Sequence, residues 1–378
     1  MSKKAHIFTA GEISHYTYAP KRTFFSSAAL FVVLSLMLLL FSGCGSVSQS
    51  SIIGVSMPSR EQQRWTQDGD NIKIQLQAKG YKVELRNAEG DIEKQITQVQ
   101  ELIDLNCRII VITAIDGESF TEVLKNAEKK KITIISYDRL ISNTPTMDYY
   151  VTFDNVEVGV MQAEYIVDAF GLGAGTNTIT LEIFSGALDD STTPDYYEGQ
   201  MSVLKPFIDS GRIIVKSGQT SLNETATFDW SGDVAASRLA DILTDYYSDG
   251  TRLDAVLSTY DGMSVEMIKT LKEAGYGTIE NPLPIMTGQD CDKASVISIM
   301  NGEQSMSVFV DTRTLAARTV DMIDDIMVGK KPAINDSNRY HNGVKYVPAA
   351  ISKPVLVDIE NYREVLIDSG YYKESDLR

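Results

Sequence analysis

Residues 108–139 read RIIVITAIDGESFTEVLKNAEKKKITIISYDR, and this stretch indicates the fold of the chain. A β-branched run at 108–113 precedes a segment at 117–130 whose apolar residues recur every three or four positions, and a second β-branched run fills 132–136. The pattern predicts a strand, a helix and a strand. Two strands joined through a helix pair in parallel, because only a crossover connection brings a parallel strand back to the sheet.

The same alternation extends to both sides of this stretch. We expect earlier strands at 51–57 and 81–86, earlier helices at 61–79 and 91–105, and a further strand at 149–152. After Phe153-Asp154-Asn155 a second series follows, with helices at 156–170, 193–210, 232–247 and 262–274 and strands at 178–184, 213–217, 255–258 and 284–287. The repetition predicts an α/β fold of two similar doubly wound lobes, each built on a parallel sheet.

The end of the chain is expected to pass between the lobes again. A strand at 306–310 and a helix at 313–328 read as a return into the first lobe, 344–357 as a further crossing, and 360–369 as a final helix. We therefore assign 51–154 and 306–335 to the first lobe. The second lobe is expected to comprise 155–305 and 336–378.

The first fifty residues have the pattern of a lipoprotein signal. Four basic residues (Lys3, Lys4, Lys21 and Arg22) precede an apolar run at 24–41, which ends in Ser42-Gly43 and then Cys44. We expect a signal peptide at 1–43, a lipidated Cys44 and a polar tether at 44–50. The alternative is a transmembrane helix, because about 18 apolar residues are just enough to span a bilayer. Either reading exports the rest of the chain, to the outer face of the cytoplasmic membrane.

Composition limits the function further. The basic leader has three more positive than negative charges, so without it the formal net charge falls from −16 to −19. Such an acidic body repels nucleic acid, and it is expected to be a soluble monomer.

The spacing of Cys107 and Cys291 is not that of a metal site, and Cys107 is read as a small buried residue. A disulfide between the two cysteines requires that they meet in space. Because His341 is the one histidine after the leader, neither a metal site nor histidine-based catalysis is expected.

Polar residues directly after strands are the candidates for a ligand site, because open parallel sheets bind ligands at the carboxyl ends of their strands. Asp138 and Arg139 follow the strand at 132–136, and neighbouring strand residues face opposite ways, so at least one should point into a cleft. The alternative is a surface loop with an incidental pair of charges. Asp261 and Asp290 each lie between a strand and a helix, where a plain N-cap is the alternative. Asp190 belongs to a polar cluster that local turn chemistry could also explain.

Two tryptophans add a second kind of candidate. Arg64-Trp65 pairs a guanidinium with an indole, which suits a ring-shaped polyol because the indole covers C–H groups while the guanidinium donates to hydroxyls. Trp230 is a candidate for the same reason, although either indole could instead belong to a hydrophobic core.

Two common catalytic and binding motifs are missing from the sequence. No glycine loop that cradles phosphate joins a strand to a helix, and no serine nucleophile elbow is present.

Taken in order, five segments make the chain resemble the type I periplasmic sugar-binding proteins: Arg64-Trp65, Tyr137-Asp138-Arg139, Phe153-Asp154-Asn155, 199–206 and Gly288-Gln289-Asp290. Within them it is most similar to the receptors for xylose and for multiple aldoses that serve ABC importers. The resemblance implies two lobes joined by three crossings that close over one pyranose. It also implies sugar contacts at Arg64, Asp138, Arg139, Asp190, Trp230, Asp261 and Asp290.

Two positions depart from the pattern of that family. Asp190-Ser191-Thr192 stands where the family often has Asp-Asn-Asn, and Val310 stands where it often has a lysine. Lost amide and ammonium donors change which hydroxyls of a sugar can be satisfied.

These observations predict a lipid-anchored solute-binding protein that captures a neutral aldose, such as xylose, galactose, glucose or arabinose, and delivers it to an ABC permease. We expect no catalysis and no cofactor. The alternative is a sugar sensor that presents its ligand to a membrane histidine kinase or chemoreceptor. A sugar-responsive repressor of the same fold would need a basic DNA-binding headpiece, where this chain has the apolar run.

Overall fold

The computed structural model describes residues 52–378. The expected signal peptide, Cys44 and the tether lie outside the described residues. The first part of the chain comprises β1 (Ile52–Met57), α1 (Gln63–Ala78), β2 (Lys82–Asn87), α2 (Ile92–Asp104), β3 (Ile109–Ile112), α3 (Thr121–Lys129), β4 (Thr133–Tyr137) and β5 (Tyr149–Phe153). The predicted strand–helix–strand unit at 108–136 is therefore β3, α3 and β4. The three strands β1, β3 and β4 pair in parallel, as predicted.

The second series comprises α4 (Asn155–Ala169), β6 (Ile179–Phe184), α5 (Thr193–Asp209), β7 (Ile213–Ile214), α6 (Leu222–Thr225), α7 (Gly232–Tyr246), β8 (Ala255–Ser258), α8 (Asp261–Glu273), β9 (Ile285–Met286) and α9 (Lys293–Met300). A single 3₁₀ turn, Phe228–Trp230, precedes α7. Strands β6 to β9 form a second parallel sheet in the order β7-β6-β8-β9. Helix α9 and the short helix α6 were not predicted.

The last part of the chain comprises β10 (Met306–Phe309), α10 (Thr312–Met327), β11 (Ala349–Ser352), β12 (Val355–Asp358), a π-helical segment Arg363–Asp368 and a 3₁₀ turn Glu374–Leu377. The first sheet has six parallel strands in the order β11-β5-β4-β3-β1-β2. Both sheets are covered by helices on two faces, and separate apolar clusters fill the two sides of each sheet. The fold is the predicted clamshell of two doubly wound lobes.

Two parts of the expected lobe assignment are wrong. Strand β10 is not a return into the first lobe: it pairs antiparallel with β12 and extends the second sheet, since Val308 N–H donates to Gly288 O at 3.0 Å. Strand β11 is not in the second lobe, because it pairs in parallel with β5 of the first sheet. Strand β10 pairs with β12, and β11 pairs with β5. These partners are separated from the strands by other parts of the chain, so no local sequence pattern reveals the pairing.

The chain crosses between the lobes three times, after β5, between β10 and α10, and between β11 and β12. Cys107 and Cys291 are buried free thiols, so the sequence reading of Cys107 as a small buried residue is confirmed. No helix within 52–378 combines the length and the apolar character needed to cross a membrane.

Candidate functional site

A cavity lies between the carboxyl ends of the strands of the two sheets. Its empty volume, which includes space open to solvent, is about 330 Å³. The first lobe contributes Gln62, Arg64, Trp65, Asp138 and Arg139, and the second contributes Asp190, Thr192, Tyr196, Trp230, Thr259, Tyr260, Gln289 and Asp290. All the residues expected at the site except Asp261 line this one space.

The first-lobe wall is built from the start of α1 and the end of β4. Arg64 donates hydrogen bonds to Asp138 and to Asp68, the latter at 3.3 Å between Nε and Oδ2. Asp138 has a φ of 64°, a left-handed conformation that non-glycine residues rarely adopt. The turn interrupts the strand alternation, so Asp138 and Arg139 both line the cavity rather than facing opposite ways.

Trp65 contacts both arginines of the cavity. The guanidinium carbon of Arg64 lies 4.7 Å from the centre of the indole, and that of Arg139 lies 5.1 Å from it. Cations are attracted to the face of an indole by its ring quadrupole. Trp65 is therefore both buried and part of the site, and its ring orients the two guanidinium groups.

Two ion pairs cross the cavity from one lobe to the other. Arg64 Nη1 lies 3.6 Å from Asp290 Oδ1, and Arg139 Nε lies 2.8 Å from Asp190 Oδ2. Beside them Leu140 N–H donates to Ser191 Oγ at 2.7 Å. The lobes are thus in contact around the cavity, which is the arrangement of a closed clamshell.

The carboxylate of Asp190 accepts three hydrogen bonds from protein donors. Oδ1 accepts from the backbone N–H of Thr192 at 2.9 Å and from its hydroxyl at 2.7 Å. Oδ2 accepts from Trp230 Nε1 at 3.1 Å and lies beside Arg139. A carboxylate offers about four lone-pair sites, so Asp190 orients Trp230 and Arg139 and has little capacity left for a ligand.

Trp230 is held in place by an unusual backbone and by two tyrosines. Asp229 and Trp230 both have positive φ, at 53° and 54°, and for a bulky residue such as tryptophan this is a genuine outlier. The indole makes edge-to-face contacts with Tyr196 and Tyr260, with ring centres 6.2 Å and 6.1 Å apart. These contacts fix an aromatic wall of the cavity.

Asp261 does not line the cavity. Its carboxylate accepts hydrogen bonds from Gln304 Nε2 at 2.9 Å, Ser307 Oγ at 2.9 Å and the backbone N–H of Asp292 at 3.0 Å. The structure does not bring Asp261 together with the other expected site residues, because these buried donors turn the side chain towards β10. Neither Asp261 nor Asp290 is an N-cap. The N-cap residue of α8 is Tyr260, and that of α9 is Asp292.

Two buried polar atoms of the cavity have no aligned partner. Arg139 Nε is close to Asp190, yet its N–H direction misses the carboxylate, so the contact is an ion pair without a hydrogen bond. Gln289 Oε1 also has no donor, while its Nε2 donates to Tyr196 Oη at 3.2 Å and to Asp290 Oδ1 at 3.3 Å. Orphaned buried groups are costly, and here they mark where a ligand can donate and accept.

The charges around Arg64 influence one another. Burial raises the pKa of Asp68 to about 7, although Arg64 and a hydrogen bond from Tyr137 oppose the rise. Burial also raises the pKa of Asp290, again against the pull of Arg64. Burial opposes the charge of Arg64, but Asp138, Asp290 and Asp68 raise the pKa of its guanidinium well above the usual value.

The sequence analysis missed six lining residues: Gln62, Thr192, Tyr196, Thr259, Tyr260 and Gln289. Thr259 and Tyr260 directly follow β8, and Gln289 precedes Asp290, so the rule that polar residues after strands form the site covers them. That rule was applied to the charged residues alone. Tyr196 lies inside α5, where only the packing of the helix decides which way it points.

Comparison with known proteins identifies the family. Residues 53–331 match the periplasmic binding protein domain. The chain is 45% identical over 326 residues to the multiple sugar-binding periplasmic protein SbpA of Azospirillum brasilense, covering 86% of this chain and 91% of that protein. It is 46% identical to the multiple sugar-binding periplasmic receptor ChvE of Rhizobium radiobacter, covering 86% and 92%.

Solved structures agree with this assignment. An ABC transporter solute-binding protein from Clostridium phytofermentans with bound β-D-glucose is 43% identical with a TM-score of 0.83, covering 86% of this chain and all of that one. A carbohydrate transporter solute-binding protein from Chloroflexus aurantiacus, in complex with D-glucose, is 32% identical with a TM-score of 0.77, covering 86% and 97%. The chain therefore belongs to the type I periplasmic sugar-binding proteins, among the relatives of the multiple-sugar receptors.

Proposed function

We propose that this protein captures one neutral monosaccharide in the cavity between its lobes, without chemical change, and delivers it to an ABC permease. The observation that carries the proposal is the pair of arginine–carboxylate contacts that join opposite lobes across the cavity, Arg64 with Asp290 and Arg139 with Asp190. The relatives with bound glucose support the class of ligand.

The chemistry of the wall suits an uncharged polyol. Asp138 and Asp290 each keep one carboxylate oxygen that accepts no hydrogen bond from the described residues, and Gln289 Oε1 is also without a donor. These acceptors can accept hydrogen bonds from three sugar hydroxyls, while Arg139 can donate to a sugar oxygen. A sugar carries no charge, so its recognition depends on directed hydrogen bonds of this kind.

The same groups couple binding to closure. Contacts across the cavity form only when both lobes meet, and a sugar that satisfies Arg139 and Gln289 stabilises that state over an open one. Closure is then a population shift driven by the ligand. The closed surface is what a membrane partner would recognise.

The test is thermal unfolding of residues 45–378 against a panel of aldoses that includes xylose, galactose, glucose and arabinose. A sugar at 100 times its dissociation constant adds about 2.7 kcal/mol to the free energy of unfolding. At least one aldose should raise the melting temperature. The proposal fails if none does.

We also propose that Cys44 carries the lipid that anchors the protein to the outer face of the cytoplasmic membrane. Several acyl chains are needed for stable attachment, since one chain binds only marginally. Mass spectrometry of the membrane-bound protein should find residues 1–43 removed and a lipid on Cys44. The Cys44→Ala variant should carry no lipid, whereas the control Cys107→Ala should keep it. A retained transmembrane helix would instead leave residues 1–43 attached and no lipid on any of the three proteins.

Delivery to a permease and presentation to a sensor kinase use the same closed state. Capture of sugar-loaded protein from membranes distinguishes them, because the proposal expects permease subunits among the captured proteins. Recovery of a histidine kinase or chemoreceptor without permease subunits would favour the sensor.

A further inference from the structure

A second, wider space, which we term the vestibule, borders the cavity at the rim of the cleft. It has an empty volume of about 1360 Å³ and is open to solvent. Five residues line both spaces: Gln62, Trp65, Arg139, Trp230 and Tyr260. The cavity and the vestibule therefore adjoin at these shared side chains.

The vestibule is rich in groups that accept hydrogen bonds. Its own walls carry six carboxylates: Glu61, Glu89, Asp189, Asp229, Asp233 and Glu266. Two of them already bind lysines, Glu89 with Lys94 and Glu266 with Lys269. The other four have no ion-pair partner among the described residues. Ionised carboxylates only accept hydrogen bonds, so this wall suits donors such as hydroxyls and repels anions.

A separate observation points to a ligand in this direction. Arg139 borders both spaces, is only 8% exposed, and has a buried Nε without an aligned acceptor. A glycosidic or ring oxygen at the junction of the two spaces could accept from this guanidinium. The aromatic rings of Trp65, Trp230 and Tyr260 flank the same junction, and such rings cover the C–H surfaces of sugars.

Building on the proposed function, we infer that the receptor also binds neutral disaccharides or glycosides, with one ring in the cavity and the attached ring in the vestibule. Both lobes line the vestibule, Glu61 from the first and Asp233 from the second. An attached ring can therefore contact both lobes. The negative wall restricts the second ring to an uncharged one.

The experiment is titration calorimetry of residues 45–378 with glucose, methyl β-glucoside, cellobiose and maltose. Residues 52–378 contain all the apolar clusters described above, so this part of the chain is a self-contained folded unit. We expect at least one disaccharide to bind with one-to-one stoichiometry, and saturating glucose to abolish that binding because the first ring shares the cavity.

A pair of double variants tests the vestibule itself. Asp189→Ala with Asp233→Ala removes two free vestibule carboxylates, whereas Asp241→Ala with Asp245→Ala removes two exposed carboxylates of α7 that lie outside it. Both variants change the net charge equally. The vestibule variant should weaken disaccharide binding roughly three- to tenfold, as expected for one or two lost hydrogen bonds, and leave glucose binding like that of the control variant.

The outcomes separate this inference from the proposed function. Glucose binding without binding of any disaccharide or glycoside overturns the vestibule inference and leaves the receptor intact. Equal disaccharide affinity in the two double variants also overturns it. If no monosaccharide binds, the proposed function itself fails, and the inference fails with it.

Discussion

The six-membered ring of Trp230 occupies the space where a side chain at residue 186 would be. A Cβ atom built on Gly186 would lie 2.2 Å from both Cη2 and Cζ2 of this indole, far inside any permitted contact. Gly186 follows β6, and its carbonyl accepts from Thr227 N–H at 3.2 Å. The missing side chain at Gly186 is therefore what allows the indole to reach Asp190.

Gly186→Ala is predicted to displace Trp230 and weaken monosaccharide binding. Inserting a methyl group into a packed position costs ~1–3 kcal/mol. If sugar binding requires the Trp230 indole in its present position, the affinity should fall by about tenfold. Calorimetry gives the affinity, and fluorescence of a Trp65→Phe background reports Trp230 alone. Gly173→Ala is the control, since a Cβ there meets nothing within 4 Å. Equal affinity in the two variants would contradict the packing argument.

Arg139→Ala is predicted to reduce strongly the thermal shift produced by sugar. Truncating one partner of a buried charge pair costs ~2–5 kcal/mol, which corresponds to at least a roughly thirtyfold loss of affinity. The variant should still unfold cooperatively in calorimetry. Arg363→Ala, which breaks an exposed pair with Glu374, should bind sugar normally. A normal sugar response in Arg139→Ala would show that the site is wrongly assigned.

Asp261 and Asp290 are predicted to behave differently although both follow strands of the second sheet. Asp261→Ala leaves the buried donors of Gln304 and Ser307 unpaired, so it should lower the free energy of unfolding by several kcal/mol. The sugar affinity of the folded fraction should change little. Asp290→Ala should instead reduce affinity. Denaturant unfolding and calorimetry on both variants check this, and loss of affinity in Asp261→Ala alone would refute the assignment.

Stability is predicted to fall as pH rises from about 4 to about 7, in part because of Asp68. Its pKa is raised from 3.8 to about 7 by burial, so the folded state holds a proton that the unfolded state releases. Such a group lowers stability by up to ~1.4 kcal/mol per pH unit within this window. Asp68→Asn, which cannot ionise, should flatten the pH dependence of the melting temperature. An unchanged slope would contradict this contribution.

Most of the elements of the two sheets could be predicted from local pattern. The run at 108–136 produces β3, α3 and β4 within a few residues of the expected bounds, because parallel strands buried on both faces need continuous apolar runs. The sequence does not show which lobe β10 joins, because a strand of four buried residues is compatible with the interior of either lobe. Which sheet edge it joins depends on backbone groups of β9 and β12 that lie elsewhere in the sequence.

The candidate site shows the same division. Asp138 and Asp290 could be identified because chain order puts polar residues at the carboxyl ends of parallel strands. Arg64 could be identified because a guanidinium beside an indole suits a ring-shaped polyol. The sequence could not separate Asp290, which lines the cavity, from Asp261, whose carboxylate is bound by Gln304 and Ser307. It also could not show that three protein hydrogen bonds already engage the carboxylate of Asp190.

The sequence by itself determined the α/β class, the two lobes and the family, because periodicity and short motifs are local properties of a chain. The tertiary structure decided which side chains face the cavity, since a side chain turns towards whichever donors and acceptors surround it after folding. Those partners come from both lobes and from sequence positions up to hundreds of residues apart. Their directions are fixed only when the lobes meet.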